Sequence, residues 1–246
     1  MSFRIKPFLN GGNLKWIAII TMMIDHTAAA VIRPLCRMLP DSMYGVRACL
    51  GSLYPYMRDI GRIAFPIFCF LLVEGFIHTR NAALYARRLF LFALISEFPF
   101  DFALSNALSR PHHQNVYFTL LIGLLVMIGM DYFENKRAGH PAARYLYALA
   151  QSLIAAGGLY LAKFLYTDYG FKGVLLIEVL YFYRNSRMLQ SVFGAVAISW
   201  ETTAPLAFIP VALYNGERGR QHKYFFYWFY PVHLLILGFL KLWITS

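Results

Sequence analysis

The sequence predicts an all-α bundle of transmembrane helices, and its composition carries that prediction. Apolar residues make up 59% of the 246 positions, above the roughly 45–50% of an ordinary soluble domain. Charged residues make up only 14%, against roughly 25% in such a domain. This balance excludes a disordered chain, a nucleic-acid-binding domain and a conventional soluble enzyme. It indicates a polytopic protein that contacts the lipid bilayer along most of its length.

About eight apolar stretches approach the length of a membrane span, which needs about 20 mainly apolar residues. They leave short connections and no separate soluble domain, so we expect one integral membrane domain over residues 1–246. The sixth stretch is short, and the expected number of spans is therefore seven to ten. The predicted spans lie near residues 14–32, 60–78, 88–108, 116–131, 144–165, 169–183, 191–213 and 225–244.

The connection over 33–59 is the longest, and its prolines and glycines argue against one continuous helix. Cys36 and Cys49 share this connection, so a disulfide is an open alternative if it faces an oxidising compartment. Cys69 lies in an apolar stretch, where a buried small hydrophobe is expected. The net charge of +11 fits contacts with anionic lipid headgroups or with an anionic cofactor. Slightly more basic residues lie on the side of the N-terminus, which favours a cytoplasmic N-terminus.

Asp25 and His26 lie together near the middle of the first predicted span. A charge at this depth costs at least about 2.5 kcal/mol, so each such residue is expected to have a structural or functional role. Adjacent helical positions are about 100° apart, which lets both side chains face one polar cavity. His26 can exchange protons near neutral pH, with Asp25 orienting its ring or holding another helix. The alternative is an interhelical hydrogen bond without chemistry.

Two other spans, the last and the second, also carry ionisable side chains. His233 follows Pro231, which bends the last span and opens space beside the imidazole, although a kinked helix with a hydrogen-bonded histidine is an equal alternative. In the second span, Arg62 and Glu74 are about 18 Å apart along a helix and cannot pair with each other. Glu74 and His78 lie one turn apart and can form a hydrogen bond.

The third span places Glu97 and Asp101 on one helical face. Two such carboxylates repel each other unless one is protonated or a cation lies between them. The pattern therefore indicates either cation binding or proton transfer, or a structural salt bridge to Arg62 or Arg88.

A basic group flanks the connection between the second and third spans, with Arg80, Arg87 and Arg88 close together. This group is either a topology signal or a phosphate-binding site, because arginine makes bidentate contacts with phosphate. Lys223 and Tyr224, at the start of the last span, raise the same question. Motifs of serine hydrolases, metalloproteases and nucleotide-driven pumps are absent from the sequence.

Seven segments, in this order, closely resemble the TraX family of bacterial integral membrane proteins, and the resemblance covers about residues 14 to 240. The segments are LKWIAIITMMIDHT, IGRIAFPIFCFLLVEGFIHTRN, RRLFLFALISEFPFD, QNVYFTLLIGLL, DYGFKGVLL, LYNGERG and KYFFYWFYPVHLLIL. The family is named for a protein that acetylates the N-terminus of F-type pilin, and it is similar to transmembrane acyltransferases.

The resemblance implies an acetyltransferase in the bacterial inner (cytoplasmic) membrane. Its donor is cytoplasmic acetyl-CoA, and its acceptor is a peptide N-terminus, a sugar or a small molecule. A transferase needs a base for the acceptor proton, donors for the developing oxyanion and cations for the CoA phosphates. We expect His26 to be the base, with His233 in reserve or donating to the thioester oxygen. The catalytic candidates are His26, Asp25, His233 and Glu97. The candidates for acetyl-CoA binding are Arg62, Glu74, His78, Arg80, Arg87, Arg88, Lys223 and Tyr224.

Two other functions stay open at this point. Buried histidines and carboxylates also build the proton relays of transporters, so a proton-coupled transporter is the first alternative. The lack of an internal repeat argues against it. The second alternative is a non-catalytic membrane scaffold.

Overall fold

A computed structural model describes residues 7–105, 112–139, 141–220 and 223–246. This part of the chain confirms the all-α class, with helices joined by short turns and only isolated backbone bridges between extended residues. The helices are α1 (Gly11–Thr27), α2 (Arg33–Met38), α3 (Tyr44–Gly61), α4 (Ala64–Ile77), α5 (Ala82–Leu104), α6 (Val116–Gly139), α7 (Arg144–Phe164), α8 (Gly170–Phe182), α9 (Arg187–Ala197), α10 (Phe208–Ala212) and α11 (Lys223–Thr245).

Five helical stretches of the described residues are long and apolar enough to cross a membrane. They are Gly11–Met38, Asp41–Ile77, Val116–Arg137, Arg144–Phe164 and Tyr224–Thr245. Three of the eight predicted spans are not among these five. The span predicted over 88–108 falls on α5, a helix of 23 residues that contains Arg87, Arg88, Glu97 and Asp101. The span predicted over 169–183 is α8, whose 13 residues extend only about 20 Å. The span predicted over 191–213 is divided into α9, a 3₁₀ turn and α10.

The long connection of the sequence is largely helical. A π-helical turn at Ala28–Ile32 joins α1 directly to α2, and a 3₁₀ turn at Asp41–Met43 leads into α3. The expected interruption therefore lies between α2 and α3, while Pro55 is accommodated inside α3. Cys36 and Cys49 lie on these two helices as free thiols, so the disulfide alternative is not realised.

The helix α4 is the centre of the bundle. Its sequence is apolar on every side, which is typical of a helix surrounded by others, and it packs against α1, α6 and α8. Ile67, Cys69, Phe70 and Val73 are fully buried. By contrast, large apolar side chains of α7 point outward, among them Tyr145, Leu149, Leu153, Tyr160 and Phe164. This outward face fits contact with lipid.

The beginning of α1 anchors the connection between α10 and α11. Asn10 and Asn13 form a capping box, with reciprocal hydrogen bonds of 3.0 and 3.2 Å. The Gly11 amide donates to the Glu217 carbonyl at 2.8 Å. Gly219 has a φ of +66° and lies so close to Asn10 that a Cβ atom would clash with its side chain. The connection over 215–220 is therefore held against one end of the bundle.

Candidate functional site

Two cavities lined by the described residues lie near opposite ends of α1 and α4. The polar cavity has a volume of about 420 Å³ and includes Asp25 and His26 in its lining. The basic cavity has a volume of about 670 Å³ and includes Lys15. Because Lys15 and Asp25 are ten residues apart on one continuous helix, about 15 Å of helix axis separates them. The cavities therefore occupy opposite ends of the bundle.

His26, which lines the polar cavity, forms a pair with His233, which is buried and does not line it. Nδ1 of His26 on α1 lies 2.7 Å from Nε2 of His233 on α11, and the two rings are nearly parallel. Nδ1 of His233 donates to the Phe229 carbonyl oxygen at 2.7 Å. The pair brings together two catalytic candidates that are 207 positions apart in the chain.

The hydrogen-bond chain determines which nitrogen of each neutral ring carries the proton. The Phe229 carbonyl only accepts, so Nδ1 of His233 carries a hydrogen and its Nε2 has a free lone pair. That lone pair accepts a hydrogen bond from Nδ1 of His26. The remaining nitrogen of His26, Nε2, then carries a lone pair as well. The geometry suits His26 to receive a proton and His233 to hold the tautomer.

Asp25 does not orient the His26 ring but holds another helix. Its Oδ2 atom accepts from Nη1 of Arg58 on α3 at 2.6 Å, and Gly61 lies directly against its side chain. The Asp25 Oδ1 atom is buried without a hydrogen-bond partner among the described residues. The pair therefore attaches α3 to α1 beside the polar cavity.

Arg62 lines the polar cavity, not the basic one that contains Arg80 and Arg88. Its Nε atom lies 3.2 Å from Oε2 of Glu201, and its guanidinium lies near the Tyr169 hydroxyl. The structure therefore separates Arg62 from the other predicted acetyl-CoA ligands. Its sequence position could not show this, because Glu201 and Tyr169 approach it from distant parts of the chain.

Asp168 and Tyr169, which directly precede α8, also line the polar cavity. Tyr169 takes a left-handed conformation with a φ of +62°, which is uncommon for a bulky residue, and its ring stacks on Phe65 at 3.7 Å between centroids. The Asp168 Oδ1 atom accepts from the Tyr169 amide at 3.1 Å. Burial raises the pKa of the Asp168 carboxyl, and the nearby His113 acts against this rise.

Glu97 has a structural partner in the described residues. Its carboxylate accepts hydrogen bonds from the side chain and the backbone amide of Asn115, just before α6. Asn115 also donates to the Ala93 carbonyl at 2.8 Å. These bonds join α5 to the start of α6. Asp101, one turn further on, lines the polar cavity, and the expected salt bridge to Arg62 is replaced by the Arg62 pair with Glu201.

The basic cavity gathers cationic side chains from distant parts of the chain. Its lining contains Arg80 and Arg88, as expected, and also Lys15 and Arg218, which were not among the predicted acetyl-CoA ligands. Arg218 reaches the cavity because the 215–220 connection is held against the start of α1. Four basic side chains around one concave surface form a suitable site for phosphate groups.

The other predicted acetyl-CoA ligands fall into two groups. Glu74 and His78 line the basic cavity, whereas Arg87 and Tyr224 are exposed and do not line it. The prediction for the Lys223 side chain lies outside the described residues.

Glu74 and His78 do not pair through their side chains. His78 Nδ1 donates to the Glu74 carbonyl oxygen at 2.9 Å, and the Glu74 carboxylate instead pairs with Nη2 of Arg187 at 3.0 Å. The Arg187 guanidinium also lies over the rings of Phe70 and Tyr214. Arg187, at the start of α9, is a neighbour of the basic cavity that sequence reasoning missed.

Comparison with known proteins agrees with the resemblance in the sequence. A family model described as "TraX protein" matches residues 10–241, a range that contains both cavities. The chain is also 30% identical over 255 residues to "Probable fimbrial assembly protein FimC, serogroup H1" of Dichelobacter nodosus, covering 91% of this chain and 92% of that protein. No solved structure matches the chain. The extent of the family match shows that this chain belongs to the TraX family of membrane-associated proteins.

Proposed function

We propose that this protein is a multi-pass acetyltransferase of the bacterial inner membrane. It moves an acetyl group from cytoplasmic acetyl-CoA to an amine or hydroxyl acceptor. The observation that carries the proposal is the His26–His233 pair, which leaves a ring nitrogen with a lone pair on a residue that lines the polar cavity. Family membership supports the assignment, and the distance between the two cavities explains how donor and acceptor are kept apart.

The basic cavity is our assignment for the donor. CoA carries several phosphate charges, and the side chains of Lys15, Arg80, Arg88 and Arg218 provide the opposite charge. The cavity volume of about 670 Å³ lies within the range of about 300–1,000 Å³ that is usual for ligand sites. A cytoplasmic donor places this cavity, together with the N-terminus, on the cytoplasmic side.

In the proposed reaction, His26 transfers the proton and His233 holds the His26 ring in position. The acceptor nitrogen or oxygen attacks the thioester carbonyl carbon, and His26 Nε2 takes the proton that the acceptor loses. Collapse of the tetrahedral intermediate breaks the carbon–sulfur bond, and the departing CoA sulfur takes that proton from His26. His233 is a positioning residue, because its Nε2 lone pair continues to accept from the His26 ring throughout.

Two cavity groups are suited to stabilise the oxyanion of that intermediate. Arg62 and the Tyr169 hydroxyl line the same cavity as His26, and fixed donors of this kind usually contribute much of the rate enhancement. Glu201 and the stacked Phe65 ring keep these donors in place. The fimbrial assembly name of the Dichelobacter relative supports a fimbrial subunit as the acceptor.

The test uses purified protein in detergent with radiolabelled acetyl-CoA and a short peptide with a free N-terminal amine as the acceptor, and a reaction without protein gives the background rate. We expect binding of acetyl-CoA and release of free CoA by the unaltered protein. His26→Gln should keep the binding and lose at least about 100-fold in the rate of CoA release. His112→Gln is the matched control, because His112 is exposed and lines neither cavity. A folded protein that does not bind acetyl-CoA, or a His26→Gln variant with the full rate, would contradict the proposal.

A further inference from the structure

The two cavities are aligned along the helices and meet at a single residue. Phe68 of α4 is the one side chain in the described linings of both. On either side of it, Phe65 lines the polar cavity and Leu71 lines the basic cavity. On α6, likewise, Val116 lines the polar cavity and the next residue, Tyr117, lines the basic cavity. Consecutive stretches of the same helices therefore lead from one cavity to the other past Phe68.

The burial of α4 distinguishes Phe68 from its neighbours. Within Ala64–Phe70, Phe68 is half-buried, whereas all the remaining residues are buried. This exposure arises in the middle of the central helix, and the open space beside Phe68 is that of the two cavities. Phe68 packs against two hydrophobic core clusters and lines both cavities, so its side chain forms the wall between them.

Two tyrosines complete the partition and place it beside the histidine pair. The rings of Tyr117, in the basic cavity, and Tyr230, in the polar cavity, meet edge to face at 5.1 Å between centroids. The Tyr230 ring in turn lies 6.0 Å from the His26 ring. Tyr117 is held by a hydrogen bond from its hydroxyl to the Tyr227 carbonyl at 3.4 Å. Phe68 is held in the partition by apolar packing against two core clusters.

We propose that Phe68 is the constriction between the donor and acceptor cavities, and that its side chain sets the length of the acyl chain that can be transferred. This inference rests on the proposed acetyltransferase function. A thioester held in the basic cavity reaches His26 only by passing the Phe68 ring. A two-carbon acyl group passes beside the ring, whereas a longer chain overlaps it. Interiors pack densely, so a ring that fills the passage discriminates by size.

The test compares Phe68→Ala with Leu71→Ala and measures the rate of CoA release with acetyl-, butyryl- and octanoyl-CoA. Leu71 is the matched control, because it lies on the same helix, about one turn away, and lines only the basic cavity. We expect the octanoyl-to-acetyl ratio of kcat/KM to rise at least about 10-fold in Phe68→Ala, in line with the hydrophobic discrimination that single pocket groups provide. The ratio should stay within twofold in Leu71→Ala.

A second variant covers the case in which Phe68→Ala fails to fold. Phe68→Trp enlarges the side chain and should lower kcat for acetyl transfer at least about 10-fold. This inference alone would be overturned by one set of results. The unaltered protein transfers acetyl groups, and the folded Phe68 variants show the same chain-length ratio and the same rate of transfer as the unaltered protein. Failure of the unaltered protein to bind acetyl-CoA would instead overturn the proposed function.

Discussion

Gly61, at the end of α3, allows α3 to approach the Asp25 side chain, and substitution by alanine should therefore destabilise the fold. A Cβ atom at Gly61 would lie 2.5 Å from Cγ of Asp25 and closer still to Cβ and Oδ1. Real Cβ contacts are essentially never below 3.0 Å, so either α3 or the carboxylate must move. Because Asp25 is bonded to Arg58 at 2.6 Å, movement of the carboxylate also stretches that ion pair.

The expected loss can be worked out from these contacts. Overpacking of a well-packed site costs about 1–3 kcal/mol. The Asp25–Arg58 pair adds a smaller amount, because its side chains are 15% and 25% exposed and solvent screening weakens it to about 1 kcal/mol or less. We therefore expect Gly61→Ala to lower the free energy of unfolding by about 2 kcal/mol. In a chain of this length the Tm should fall by about 4–8 °C.

Thermal unfolding in detergent, followed by tryptophan fluorescence, measures this effect. Gly51→Ala is the matched control on the same helix, since a Cβ atom there meets nothing within 4 Å. That variant should be unchanged or more stable by up to about 1 kcal/mol, owing to the better helix propensity of alanine. A Gly61→Ala variant as stable as the Gly51→Ala variant would refute the claim that Gly61 allows the close approach of α3 to Asp25.

Three further predictions test the basic cavity, the core and the orientation. Arg88→Ala should raise the Kd for acetyl-CoA about 10-fold and weaken its salt dependence, and a Kd that does not change would exclude Arg88 from phosphate binding. Arg187→Leu removes the partner of the Glu74 carboxylate and should lower the free energy of unfolding by about 2 kcal/mol, which is less than the loss for a fully buried pair. A variant as stable as the unaltered protein in thermal unfolding would show that Glu74 needs no partner. Cys49 is exposed and Cys69 is buried. A membrane-impermeant maleimide added to the outer face of intact cells should therefore label Cys49 and not Cys69. Labelling of Cys49 only from the cytoplasmic side would reverse the proposed orientation.

The sequence was sufficient for the fold class, and it singled out His26 as a candidate base. Apolar composition alone separates a membrane helix bundle from a soluble fold. The cost of burying Asp25 and His26 drew attention to the first span. Composition was less informative about helix ends, because a short buried helix such as α8 and a true span have the same apolar pattern. The break over 191–213 likewise depends on packing against α4 and α8.

Pairings between distant residues could not be predicted from spacing. Asp25 was expected to orient His26 or to hold another helix, and only the position of α3 beside α1 makes Arg58 its partner. Spacing could not predict that Lys15 and Arg218 lie together, because about 200 positions divide them. The capping of α1 brings them to one cavity. Local periodicity describes which face a residue occupies, whereas a site of this kind depends on which helices lie next to each other.

The most direct test of the account is a double-mutant cycle on His26 and His233. The rate of CoA release is measured for the unaltered protein, His26→Ala, His233→Ala and the double variant. If His233 acts only through the His26 ring, His233→Ala alone should lower kcat about 10- to 100-fold with little change in KM. The double variant should then be no slower than His26→Ala, because groups that act as one unit are not additive. Losses that multiply in the double variant, or full activity without His26, would contradict the account.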